Sequence, residues 1–468
     1  MERFRALQAA YETLSDDHKR KMYDQTGAIT RTAEEEFIDG FGGGTFRDRG
    51  RDVATPARSA SDLAEQLTVR QVDQSHTAGF EAWMRSRGTE GVQTFTSDDI
   101  ISQFGVVKGS YESVALPAIK HFAVRAQRAG LPKEVLTIDM EDLPPALEWG
   151  EVLVSMRMMP INPADLYTIQ TGGMYGLDAS QHVGSFPFCP GHDGVGIVLK
   201  NGPGVKEENV REGDWCIPVR PNAGTWRSLA VFKEKDLLVV PREVMSLDQV
   251  SCVREMITAY RLLEDANLKP GDCVLLNGAS GTVGQLIVQL CHLLRLRAVA
   301  VLSSGPDDAH FEKTSAMLTK LGAVHVIRDQ GSVKAELAKL KFFAKPKLGL
   351  DCVGGESSVR LSEAIAEGGQ LVVYGCMSGK SPAFNWKTWV FGGLRVKGFN
   401  TRSWMTANLK TLPTLLETLG KLSRSGKLNV RTVEYELGSE FDEALDHAMD
   451  RHKNVKVVLR VSDVGEHA

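Results

Sequence analysis

Residues 273–285, Cys-Val-Leu-Leu-Asn-Gly-Ala-Ser-Gly-Thr-Val-Gly-Gln, constrain this chain more than any other stretch. An apolar strand runs into a turn with glycines at 278, 281 and 284, and an amphipathic helix follows through Cys291. Residues without Cβ atoms let a ligand approach the backbone, and the helix start offers free N–H groups and a positive dipole end. That combination suits a pyrophosphate. The spacing is GxxGxxG rather than GxGxxG, so a plain structural strand–turn–helix is the alternative. The following residues favour the ligand reading. From Gly271 to about Asn400, apolar runs alternate with helical stretches. Strands are predicted at Cys273–Asn277, Ala298–Leu302, Val324–Ile327, Leu348–Cys352, Gln370–Tyr374 and Leu394–Phe399. Six strands with crossovers between most of them predict an α/β fold with a doubly wound parallel sheet.

The end of the second strand bears on the cofactor. NAD sites usually place Asp or Glu there, on the ribose hydroxyls. This chain has Leu302-Ser303-Ser304-Gly305. No carboxylate repels a 2′-phosphate and two hydroxyls can donate to one, which predicts NADPH; the alternative is an ordinary loop. Tyr374-Gly375-Cys376-Met377 ends the fifth strand. Strand C-termini face the ligand crevice in such sheets, so Gly375 would let a nicotinamide approach; a simple turn is the other reading.

Ahead of this region the texture differs. Glu151–Met158 alternates like a strand, and Val195–Leu199 and Asp214–Val219 are short strand-like runs punctuated by Pro and Gly. A mostly β domain is predicted. Residues 246–267 read as helical. From Thr411 the chain resumes a helix, a strand near Val430–Tyr435, another helix and a last strand, Asn454–Val461. Residues 1–27 read as charged helices, 28–58 as a flexible Gly-rich linker, and 59–116 are weakly periodic.

A net charge of -4 gives no argument for nucleic acid or a membrane surface as partner. No apolar run approaches the roughly 20 residues of a membrane helix. The start of the chain lacks a secretory apolar core and is too acidic for a transit peptide. The seven Cys include no CxxC pair, so neither a zinc ribbon nor a disulfide framework is expected.

Several stretches together resemble the medium-chain dehydrogenase/reductase superfamily. They are Asn162-Pro163-Ala164-Asp165, Gly213-Asp214, Gly224-Thr225-Trp226, Thr258-Ala259-Tyr260 and the glycine turn. Within it, residues 160–176, 218–232, 351–358 and 371–377 are similar to the mitochondrial trans-2-enoyl-CoA reductase family, and the likeness covers about 117–463. The resemblance implies a GroES-like catalytic domain, 117–249 completed by 411–463, and a Rossmann NADPH-binding domain, 250–410. It implies reduction of the C2=C3 bond of an enoyl thioester on CoA or acyl carrier protein in fatty acid synthesis, a homodimer and a mitochondrial location. Tyr175 matches the family's catalytic tyrosine, with Tyr167 its nearby competitor. Cofactor contacts carry over onto Gly281, Thr282, Val283 and Gly284, onto Tyr374 to Met377, onto Phe399, Asn400 and Thr401, and onto Lys456. As a bare residue Lys456 reads as a solvated surface charge.

The chain departs from the family at Glu255, where an Asn is expected, and at Ser303-Ser304-Gly305, where the family is Arg-rich. An acid at 255 is expected to weaken or alter a cofactor contact. Gly191-His192-Asp193-Gly194 resembles the zinc-binding motif of alcohol dehydrogenases. Asn162 replaces the expected Cys ligand, so no metal is expected and His192 reads as a structural residue. Residues 4–27 resemble the second half of a J domain without its HPD tripeptide, so co-chaperone activity is expected to be absent; a charged surface hairpin is the alternative. The competing functions are a zinc-free quinone or enone reductase and a J-type co-chaperone or scaffold with a silent reductase domain.

Overall fold

The computed structural model describes residues 113–173, 186–242, 245–340 and 344–462. All of them belong to the unit Glu112–Ala468. The expectations for residues 1–58, for most of 59–116 and for Tyr175 lie outside the described residues.

The order of parallel strands organises the second half. β10 (Cys273–Leu276), β11 (Arg297–Leu302), β12 (His325–Arg328), β13 (Leu348–Asp351), β14 (Gln370–Val373) and β15 (Arg395–Gly398) form one sheet, in the order β12-β11-β10-β13-β14-β15. Every pair is parallel. The order reverses direction beside β10, which creates the crevice where such sheets take ligands. Each residue of β10 is buried, as a central strand covered on both faces requires. Val274, Leu276, Ala298 and Ala300 pack with the helices Val253–Glu264, Thr282–Leu293 and Leu412–Arg424. The alternate residues Cys273, Leu275, Val299 and Val301 pack against Val333, Leu337 and Leu361 on the other side. The continuous apolar runs thus reflect burial on two faces.

The first half is antiparallel. β1 (Val114–Ala115) pairs with β4 (Ala146–Leu147), and β2 (Lys120–Ala126) with β3 (Leu136–Asp142). A larger sheet is built on β5 (Glu151–Pro160), with β6 (Val195–Asn201), β7 (Trp215–Pro218), β8 (Leu229–Lys233) and β9 (Leu237–Val240). The last two strands of the chain, β16 (Thr432–Glu436) and β17 (Lys456–Arg460), join this sheet, where β17 pairs with β5. This α/β architecture is a GroES-like β domain plus a Rossmann doubly wound parallel sheet. Among the described residues, no helix is long and apolar enough to cross a membrane.

Among the described residues Trp226 is the largest fully buried side chain, and it meets the Phe441 ring edge-on at 6.1 Å. It joins the Gly224–Trp226 loop to the C-terminal helix Phe441–Met449. Truncating it leaves a cavity that a β core refills poorly. Trp226→Ala is expected to cost about 3–5 kcal/mol, read as a lowered urea midpoint; an unshifted midpoint would show that the ring does not hold the two segments together.

Candidate active site

The glycine turn is shaped by contacts that only glycine permits. Gly278 has φ 56° and a Cβ there would lie 2.4 Å from the Cys352 thiol. At Gly284 a Cβ would lie 2.6 Å from the Ala279 Cα, so the helix start packs directly on the turn. Gly281 is the N-cap of the helix Thr282–Leu293 and no side chain caps it. The helix start is therefore open to an anionic ligand.

A buried polar lock braces this turn. Asn277 donates from Nδ2 to Asp351 Oδ1 (2.6 Å) and Ser357 Oγ (2.9 Å), and its Oδ1 accepts the Cys352 N–H at 2.8 Å. Asp351 Oδ1 also accepts the Val353 and Gly354 N–H groups, at 3.0 Å each. The loops after β10 and β13 are thus tied at the mouth of the crevice. Gln285, at the helix start, donates to the Asn454 carbonyl at 2.9 Å, two residues before Lys456.

The other predicted cofactor residues lie at strand ends. Ser303 and Ser304 follow β11 and are exposed, with Ser304 Oγ 3.2 Å from Gln330 Oε1. Beside them Gly305, at φ 71°, packs over His310. Tyr374 to Met377 follow β14, and Gly375 lies against the Cys352 backbone, since a Cβ there would be 3.2 Å from its carbonyl oxygen. Burial, with the Cys352 thiol beside it, pushes the Tyr374 phenol well above its ordinary value. Asn400 caps the helix Thr401–Ala407 by accepting the Arg402 and Ser403 N–H groups at 3.0 and 3.2 Å. Phe399 packs on the core and Thr401 Oγ1 is 2.6 Å from Thr258 Oγ1.

Lys456 corrects the bare sequence reading, for it is 5% exposed rather than solvated. Its ammonium donates to Glu255 Oε1 at 2.6 Å and to Asn162 Oδ1. Asn162 Nδ2 donates to Asp193 Oδ2 at 2.8 Å, and Asp193 pairs with Arg254. Arg254 and Glu255 are chain neighbours, so Arg254–Asp193–Asn162–Lys456–Glu255 closes into a buried ring. Burial pushes the Asp193 carboxyl up, but Arg254, Arg402, His192 and Lys456 outweigh it and hold it below its ordinary value. Burial likewise disfavours the Lys456 charge, and Glu255 more than restores it. Glu255 is therefore the counter-ion of Lys456, which explains how an acid stands where an Asn was expected.

Beside the ring, Asp165 accepts the N–H of Asn162 at 2.7 Å and of His192 at 2.9 Å, and its Oδ1 meets His192 Nδ1. His192 is buried. Among the described residues, no group of three or more His, Cys, Asp or Glu is placed to hold a metal ion. Sequence reasoning named Asp193, Asn277 and Asp351 only within longer stretches and gave none of them a role, and it passed over Arg254. The signal available was polar residues at the ends of apolar runs, as in Leu276-Asn277 and Leu350-Asp351.

A GroES-like domain built from strands before and after the parallel sheet in sequence, beside a nucleotide-type sheet with a glycine turn, defines a medium-chain dehydrogenase/reductase. Residues 148–242 match the alcohol dehydrogenase GroES-like domain and residues 282–419 the zinc-binding dehydrogenase family. The chain is 32% identical to the human mitochondrial enoyl-[acyl-carrier-protein] reductase over 76% of its length and 92% of the relative's. It is also 32% identical to that of Arabidopsis thaliana, over 73% and 88%. The chain belongs to the enoyl-[acyl-carrier-protein] reductase family. Among solved structures, a Candida tropicalis mitochondrial 2-enoyl thioester reductase heterodimer shares the fold, with TM-score 0.62 and 24% identity over 73% of this chain and all of that one. A putative NADPH:quinone reductase from Bacillus thuringiensis has TM-score 0.62 and 25% identity over 74% of this chain and all of that one.

The ring has a signature in acid. Asp193 has a depressed folded-state pKa, so its contribution is present above the unfolded value of 3.8 and is lost as pH falls through the folded value. Asp193→Asn leaves Arg254 buried without its counter-ion and is expected to cost about 3–5 kcal/mol at neutral pH. Its stability should also vary less with pH below about 4 than the parent's. Urea melts across pH 2–7 would read both effects, and parallel curves for the two proteins would remove Asp193 from the acid dependence.

Proposed function

We propose that this protein reduces the C2=C3 double bond of trans-2-enoyl thioesters, carried on CoA or acyl carrier protein, with NADPH as reductant. Family membership at 32% identity over most of the chain carries this reading. The site fits the cofactor: a glycine turn opens onto an uncapped helix start, and no carboxylate follows β11 in Ser303-Ser304-Gly305. NADPH, when bound, supplies a hydride to C3, which the thioester carbonyl makes electrophilic. The chain's own task is then to stabilise negative charge on the thioester oxygen and deliver a proton to C2. We assign both to the Tyr175 phenol, a neutral donor at pH 7 that follows the helix Pro163–Thr171 and its Gly172 cap in sequence.

Two finer readings accompany this one. Among the described residues β15 is an edge strand that pairs only with β14, and the adjacent helix Trp386–Phe391 exposes Trp386, Trp389 and Phe391 by more than half. An open edge beside aromatic surface supports a homodimer. The names of the relatives support a mitochondrial location. The likeness to a putative NADPH:quinone reductase keeps a quinone or enone reductase as the second reading.

The test is steady-state turnover with NADPH and crotonyl-CoA against a small quinone. Enoyl thioester reduction should dominate, and turnover confined to the quinone would replace this reading by the second. Tyr175→Phe is expected to lower turnover about 100-fold or more, the scale of general acid catalysis, with NADPH affinity unchanged. Full turnover in that variant would place the proton donor elsewhere. Light scattering should give twice the chain mass, and a monomer at micromolar concentration would exclude the dimer.

A further inference from the structure

The lock at the glycine turn does not end at Asn277 and Asp351. Ser357 Oγ, buried in the helix Gly355–Ala364, accepts from Asn277 Nδ2 at 2.9 Å and donates to Asp329 Oδ2 at 2.5 Å. Asp329 Oδ1 accepts from Arg360 Nε, on the same helix, at 2.7 Å. Asp329 follows β12, and its N–H donates to the carbonyl of Leu302, the last residue of β11, at 2.6 Å. Its chain neighbour Gln330 accepts from Ser304 Oγ at 3.2 Å. One polar chain, Asn277–Ser357–Asp329–Gln330–Ser304, therefore joins the turn after β10 to the loop after β11 by way of β12.

These two loops must keep a fixed separation if one dinucleotide is to span them. On the NADPH reading above, the pyrophosphate falls at the glycine turn and the 2′-phosphate at Ser303–Ser304. An arginine there could swing a long side chain onto a phosphate. A serine cannot, because its hydroxyl is one bond from Cβ and the backbone decides where it stands. Hydrogen bonds weaken steeply with poor angles. A loop that reads a phosphate through serines therefore depends on whatever fixes its backbone beforehand. Asp329, held on both carboxylate oxygens, is placed to do this. Arg360 also pairs with its charge, so the carboxylate braces the loop without turning a free anion on the phosphate.

We propose that Asp329 is a positioning residue for cofactor choice. It sets the Ser303–Ser304 loop against the glycine turn, and so determines the preference for NADPH over NADH through Ser304 rather than by contact with the ligand. The inference rests on the NADPH reading above.

The test is kcat/KM for NADPH and for NADH with crotonyl-CoA, read as their ratio. Asp329→Ala should lower the ratio about 10-fold, the scale of one misplaced hydrogen bond, by raising KM for NADPH with kcat held. The NADH value should stay, because NADH carries no 2′-phosphate. Asp329→Asn keeps an acceptor oxygen for Ser357 and should recover part of the ratio. Ser357→Ala cuts the same chain one link away and should lower the ratio likewise, even if Asp329→Ala melts early. In a Ser303→Ala/Ser304→Ala background, Asp329→Ala should add nothing further. An unchanged ratio in Asp329→Ala and Ser357→Ala overturns the assignment, and so does an equal loss with both cofactors, which marks a general effect on the fold. An undiminished effect of Asp329→Ala in the serine-free background overturns it too. If the serine variant itself keeps the parent's ratio, the loop does not take the 2′-phosphate, and that reading fails with the proposal built on it.

Discussion

The lock between Asn277 and Asp351 is the contact on which the rest of the crevice depends. A parallel sheet can place two strand ends side by side, but their loops still diverge unless something ties them. Here one buried amide and one buried carboxylate, 74 residues apart, capture each other and the backbone of the facing loop. Both groups are fully buried, so each hydrogen bond left unmade would cost a desolvation penalty. The glycine turn inherits its shape from that lock, because Gly278 lies against the Cys352 thiol that Asp351 precedes.

The ring through Lys456 obeys the same rule with charges in place of neutral partners. Two ion pairs from adjacent residues of one helix, Arg254 to Asp193 and Glu255 to Lys456, reach across to β17 and to the loop before β6. Asn162 joins them by offering its oxygen to the cation and its nitrogen to the anion. Such an arrangement tolerates a carboxylate at position 255 because the ammonium is present, and keeps the ammonium ionised because the carboxylate is. Removing either partner alone would strand the other in a medium of low dielectric.

Most of the fold was legible in the sequence because its signals are local. Runs such as Val299-Ala300-Val301-Leu302 declare a strand buried on both faces, and Gly278-Ala279-Ser280-Gly281 declares a turn at its end. The periodicity reading also found both C-terminal strands, though not the sheet they would join. Lys456 shows where local reading stops. Its neighbours in sequence say only that it lies in a strand, and its partners Asn162 and Glu255 are 294 and 201 residues away. Glu255 looked like a misfit for the same reason, since its counter-ion is 201 residues further along the chain. In sequence Asn162 shows as a residue where a zinc-ligating Cys is expected, and its two charged neighbours, Asp193 and Lys456, are 31 and 294 residues away.

The pairing of β17 with β5 also bears on how the protein is made. β5 leaves the ribosome about 300 residues before β17 does, with its pairing edge toward β17 unfilled through that interval. Long-range pairing of this kind forms slowly, and an unpaired strand edge invites other chains to dock on it. The nucleotide-type sheet is contiguous in sequence and can form first, whereas the catalytic sheet waits for β16 and β17. The ring is completed only with β17, so a nascent chain is exposed to misassembly at β5 until it acquires Lys456.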